Sequence, residues 1–126
     1  GAVLERFGLR KFGVDAATAR LTVNGKVAKL TGWNHHTQWP GQAGKATLVT
    51  ASPTDAQLDD DIRLLAEGGC TYVRGAHYPQ DPRWLDRLDE AGMLMWEETL
   101  GPGVSVANTA DAAWRAVQRK QLDEML

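Results

Sequence analysis

The rhythm of apolar and polar positions changes after about residue 50. Before it, short stretches alternate loosely: residues 7–14 (FGLRKFGV) and 20–23 (RLTV) predict strands. Asn24-Gly25 then supplies a two-residue hairpin signal, because both turn positions require positive φ. The return strand is predicted over 26–33 (KVAKLTGW), followed by a long loop over 34–52 carrying Pro40, Gly41 and Gly44. Beyond it the apolar spacing becomes helical. Ser52-Pro53 predicts an N-cap with proline at the first helical position, ahead of a stripe of Leu58, Ile62 and Leu65 that Gly68-Gly69 ends. A short strand is predicted over 70–75 and a loop over 76–80. Asp81-Pro82 starts a second helix that buries Leu85 and Leu88 and stops at Gly92. A third strand is predicted over 93–98. Asn108 or Thr109 then caps a last helix whose stripe runs through Trp114, Val117, Leu122 and Met125.

After the hairpin the order is therefore βαβαβα, which implies a parallel sheet. A doubly wound nucleotide-binding sheet calls for a glycine-rich strand-to-helix turn, and no G-x-G-x-x-G occurs. In a barrel, polar functional residues stand at the C-terminal ends of successive strands. His35/His36, Arg74/His77 and Glu97/Glu98 fall at those places. The expectation is an α/β fold: the first three βα units of a (β/α)8 TIM barrel, preceded by an N-terminal β-hairpin.

Composition narrows the function. Hydrophobic residues make up 43% of the 126 and charged residues 24%, the balance of a globular protein. The formal charge is −2, with 14 basic and 16 acidic residues interspersed, so nothing favours a nucleic-acid or anionic-membrane partner. No apolar run suits a membrane span, and the opening GAVLERFGLRKF does not read as a signal peptide. A single cysteine, Cys70, excludes an internal disulfide and leaves the compartment undetermined.

Five tryptophans stand out. Trp84, Trp96 and Trp114 read as core. Trp33 and Trp39 flank a histidine pair, and their faces suit either packing or the apolar face of a sugar ring. A metal centre is not expected: His77 is the only histidine besides His35 and His36, and no cysteine or carboxylate completes a zinc sphere. Glu97-Glu98 does not read as a glycosidase pair. Neighbours on one strand face apart, whereas a retaining enzyme needs two carboxyls about 5 Å apart across the sugar.

Taken together in order, three segments resemble glycoside hydrolase family 2, the β-galactosidases, β-glucuronidases and their relatives. ERFGLRKFGVD (5–15) resembles the junction between the family's second sandwich domain and its barrel. LTVNGKVAKLTGWNHH (21–36) resembles the hairpin and first barrel strand, ending in G-x-N-x-H. VRGAHYPQDPRWLDRLDEAGMLMWEE (73–98) resembles the family's V-R-x-S-H-Y-P, D-x-x-G and D-E stretch. By that resemblance residues 1–15 close a preceding domain and 16–126 open the barrel. It also implies that Asn34, His36, Arg74, His77 and Glu98 contact a carbohydrate substrate. Thr37, Ala76, Glu97 and Thr71 depart from the usual acid, Ser, Asp and Asn.

The resemblance further implies a retaining exo-β-glycosidase whose acid/base and nucleophile glutamates lie beyond Leu126. The chain alone is then expected to be inactive, to need no cofactor or metal, and to self-associate through open sheet edges. The alternative is a non-catalytic carbohydrate-binding or assembly module on the same scaffold.

Overall fold

The computed structural model describes residues 2–4, 7–40, 48–50, 53–99 and 103–126. The chain divides into two compact units, 1–30 and 31–126.

The first unit is an antiparallel sheet of β1 (Phe12–Asp15), β2 (Arg20–Val23) and β3 (Lys26–Val27), in that order. Two local devices set its turns. Asp15 Oδ1 accepts from Thr18 N and Oγ1 and from Ala17 N, fixing the β1–β2 turn, and these bonds hold its carboxyl below the usual value. Asn24 and Gly25 take φ of 51° and 77°, and β2 returns antiparallel into β3. Asn24 also accepts from Lys11 N through its side chain.

In the second unit, β4 (Gly32–His35), β7 (Tyr72–Gly75) and β8 (Leu94–Trp96) form a parallel sheet with β7 central. A separate antiparallel pair joins β5 (Gln38–Pro40) to β6 (Leu48–Thr50). Helix α1 (Asp55–Glu67) links β6 to β7, and α2 (Pro82–Ala91) links β7 to β8. Gly32 lets β4 approach β7, since a Cβ there would fall on the carbonyl of Tyr72.

Helices and sheet meet at a core of Leu58, Val73, Trp84, Leu88 and Met93, with Ile62, Leu65, Leu85 and Met95 packed against it. Full burial of a side chain such as Leu58 or Leu88 is worth roughly 1.5–3 kcal/mol. Val73 and Met95 are partners in register, so the sheet face carrying them and Trp33 is the helix-covered one. Between α1 and α2, Arg87 reaches Asp59 and Asp55, and Arg83 reaches Asp55. Solvent screens such exposed pairs, so they tie the two helices together only weakly.

Several boundaries differ from those read in the sequence. Strand structure over 7–14 is confined to Phe12–Asp15. The single strand predicted over 26–33 is two, β3 and β4, in different sheets, with Ala28–Thr31 between them. The long loop over 34–52 contains β5 and β6; residues 41–47 and 51–52, with Gly41, Gly44 and Ser52, lie outside the described residues.

Thr54, not Ser52, caps α1: its hydroxyl accepts from Gln57 N while Gln57 Oε1 accepts from Thr54 N. The last helix is two. Ser105 caps the short α3 (Val106–Ala110), and Asp111 ends it and caps α4 (Ala112–Met125) by accepting from Ala113 N and Trp114 N. Asn108 is the third residue of α3, its side chain closing the capping box, and it caps nothing itself. Among the described residues no helix is long and apolar enough to cross a membrane.

Candidate functional site

Strand parity sorts the polar side chains. In register, Asn34 of β4, Arg74 of β7 and Trp96 of β8 are lateral neighbours and share the sheet face opposite Val73. Arg74 is the hub on that face. Its Nε donates to Glu98 Oε1 at 2.8 Å, Nη1 to Asn34 Oδ1 at 3.2 Å, and Nη2 lies 3.1 Å from His77 Nδ1. Glu98 Oε2 stands 3.3 Å from the same His77 nitrogen. Nδ1 can serve one of these neighbours at a time. As an acceptor from Arg74 it leaves the ring hydrogen on Nε2, free to donate outward; as a donor it binds Glu98. His36, just past β4, meets His77 edge-on with ring centroids 5.2 Å apart.

Asn34, His36, Arg74, His77 and Glu98 are therefore one cluster, built at the C-terminal ends of three adjacent parallel strands. Arg74 and His77 are about a third exposed or less, so water reaches the cluster without flooding it. The Ala76–His77 peptide that opens its loop is cis.

The two acids at the end of β8 diverge. Glu98 joins Arg74 and His77, whereas Glu97 Oε1 accepts from Gln80 N at 2.6 Å. Glu97 Oε2 is buried and finds no hydrogen-bond partner among the described residues. Burial raises the Glu97 carboxyl above its usual value, and the Gln80 N–H offsets part of that rise.

On the opposite face of β4, His35 stacks on Trp84 at 4.1 Å. Its Nδ1 lies 3.0 Å from Gln80 Oε1 and its Nε2 3.2 Å from Asp61 Oδ2. Trp33 shares this side, lining a cavity of about 210 Å³ with His35, Asp61, Leu64 and Leu65. The structure thus separates Trp33 from the Arg74 cluster, because residues 33 and 34 alternate across the pleat. The backbone of Trp39 lies in β5; its side chain is outside the description.

Trp96 corrects the core assignment: it is 60% exposed and on the cluster's face. Its place in register with Arg74 was the signal available, once β7 and β8 were taken as parallel neighbours. Gln80, buried beneath the loop, carried no signal of its own in the sequence. A second cavity, about 570 Å³, lies beside it, lined by Thr37, Gln38, Tyr78, Asp81 and three prolines among others. Among the described residues no group of three or more His, Cys, Asp or Glu side chains could hold a metal.

The cluster thus stands at the C-terminal ends of a parallel α/β sheet, the place where barrel folds carry their functional side chains. Residues 14–124 match the family model described as glycosyl hydrolases family 2, TIM barrel domain, and the chain belongs to that family. It is 38% identical over 104 residues to a β-galactosidase of Thermoanaerobacter pseudethanolicus, covering 82% of this chain and 13% of that protein. A β-galactosidase of Thermoanaerobacterium thermosulfurigenes is 32% identical over 119 residues, covering 92% and 15%. The apo structure of Bacteroides uniformis β-glucuronidase 3 superposes with a TM-score of 0.73 at 26% identity, over 94% of this chain and 14% of that one. The chain thus spans about an eighth to a seventh of the length of these relatives.

Proposed function

We propose that these 126 residues open the catalytic barrel of a retaining exo-β-glycosidase of the β-galactosidase or β-glucuronidase kind. They supply its first three βα units, counted on β4, β7 and β8. Residues 1–15 close a preceding sandwich domain, and the β2–β3 hairpin leads into the barrel. The Arg74 cluster is one wall of the sugar site. Asn34, His36 and His77 offer donors and acceptors to glycone hydroxyls, while Arg74 and Glu98 hold the imidazole in place. Trp39, whose backbone lies in β5, is the residue assigned to stacking on the sugar ring.

The acid/base and nucleophile glutamates lie outside these residues. Supporting this is the divergence of Glu97 and Glu98, which cannot flank one glycosidic bond because each is committed to a different partner. The observation that carries the reading is the meeting of Asn34, Arg74, His77 and Glu98 at three parallel strand ends in a chain of this family.

The test is turnover of nitrophenyl β-galactoside and β-glucuronide by the enzyme containing this chain. His77→Ala should cost roughly 2–4 kcal/mol in kcat/KM, as for a strong polar contact to the transition state. His35→Ala, on the other face, should cost far less. Equal kinetic losses from the two, or a fall in Tm large enough to explain the His77 loss, contradicts the assignment.

A further inference from the structure

Beneath the cluster, Gln80 is 7% exposed, the buried polar side chain among the described residues. Its backbone N–H, its side-chain nitrogen and its side-chain oxygen each have a partner. Its backbone N donates to Glu97 Oε1 at the end of β8, at 2.6 Å. Its Nε2 donates to Tyr78 O within its own loop, at 2.9 Å. That donation turns Oε1 toward the end of β4, where His35 Nδ1 lies 3.0 Å away and Thr37 Oγ1 donates at 3.4 Å.

The loop over Ala76–Gln80 is pinned at two further places. Ala76 N donates to His35 O, and Thr37 N donates to Tyr78 Oη. Space for the arrangement comes from Gly75, where a Cβ would collide with Met95 Cε and with Gln80 Cγ. A buried amide with this many partners is costly to disturb, since removing one partner leaves another unsatisfied.

We propose that Gln80 is a positioning residue: it ties the ends of β4 and β8 to the loop that carries His77, and so fixes that imidazole against Arg74 and Glu98. His77 sits three residues before Gln80, and Tyr78, whose carbonyl Gln80 holds, is its neighbour. Loss of the tie lets His77 leave the position in which its Nδ1 stands beside Arg74 and Glu98. For the reaction, this rests on the glycosidase reading; for the loop, it does not.

Two readouts separate these. In the enzyme containing this chain, Gln80→Leu should speed amide hydrogen exchange over residues 76–82 by about tenfold. It should also lower kcat/KM by at least about tenfold, as for a displaced contact. Gln80→Glu keeps the shape and the acceptors for His35 and Thr37. It should recover most of the lost kcat/KM at acid pH, where its carboxyl is protonated and donates to Tyr78 O, and lose it again as pH rises.

A purely structural role would instead move the melting temperature of Gln80→Glu in step with its activity, whereas positioning predicts the rescue in variant enzyme that stays folded across the same pH range. Should Gln80→Leu fail to fold, Glu97→Ala removes only the Gln80 N–H partner and should accelerate exchange in the same segment. Exchange over 76–82 unchanged in the folded variant overturns the proposal, as does kcat/KM within about twofold of wild type. A wild-type enzyme that cleaves no β-glycoside overturns the glycosidase reading instead, and the exchange result then decides the positioning role by itself.

Discussion

Arg74 Nε and Nη2 both stand 2.8 Å from Glu98 Oε1, so the guanidinium of β7 grips a single carboxylate oxygen beyond β8. The same planar group reaches Asn34 on one side and His77 on the other. An ammonium cannot serve three acceptors spread in one plane. In the parent enzyme Arg74→Lys should therefore lower kcat/KM by about a hundredfold with little change in Tm, the effect of misplacing an adjacent contact by an ångström or so. Steady-state kinetics beside a melting curve checks this. Activity within a few-fold of wild type would show that Arg74 does not organise the cluster.

Glu97 predicts a pH effect of definite sign. Burial raises its carboxyl above the ordinary value of 4.5 in the folded chain. A raised acid favours the folded state most where it is protonated, below the unfolded value, and that contribution is lost as pH climbs through the higher folded value. Glu97→Gln keeps an oxygen for Gln80 N–H and removes the charge. The variant should be more stable than the parent enzyme at pH 7, with the gap closing below about pH 4. Denaturation midpoints at the two pH values test it; a gap that does not vary with pH contradicts it.

Much of the cluster was legible because each member sits at a strand end marked by punctuation: Asp81-Pro82 after the His77 loop, Gly92 before β8. Arg74 and Glu98 could be placed on one sheet face by counting. Trp33 borders the histidines in sequence, but the pleat turns it to the α1 side, away from the Arg74 cluster. Two features were hidden for physical reasons. Residues 26–33 are continuous in pattern, yet the chain changes sheets over 28–31, which only tertiary pairing decides. Gln80 is an unremarkable polar loop residue until the ends of β4 and β8 converge on it. Around the last helices, Ser105 and Asp111 are the caps, and N-cap preference alone does not set them above Asn108.

Separated from the rest of an enzyme, the 126-residue chain should show no glycosidase turnover, since Glu97 and Glu98 face apart. It should also self-associate or be partly ordered. In the described sheet β4 and β8 each have one strand neighbour, and Trp96, on the face of Asn34 and Arg74, is largely exposed. Unpaired edges and exposed apolar groups of this kind drive association. Sedimentation at tens of micromolar, roughly the range where such species aggregate, with hydrogen exchange in the three strands, decides the point. A monodisperse monomer with slow exchange in β4, β7 and β8 would show a self-sufficient domain.

A crystal structure of the parent enzyme with a glycone-mimicking inhibitor bound tests whether the Arg74 cluster is a wall of the sugar site. Inhibitor hydroxyls should lie within hydrogen-bond distance of His77 and of His36 or Asn34, with the Arg74–Glu98 pair intact behind them. An inhibitor seated elsewhere, with His77 and Arg74 making no contact and unmoved, would contradict it.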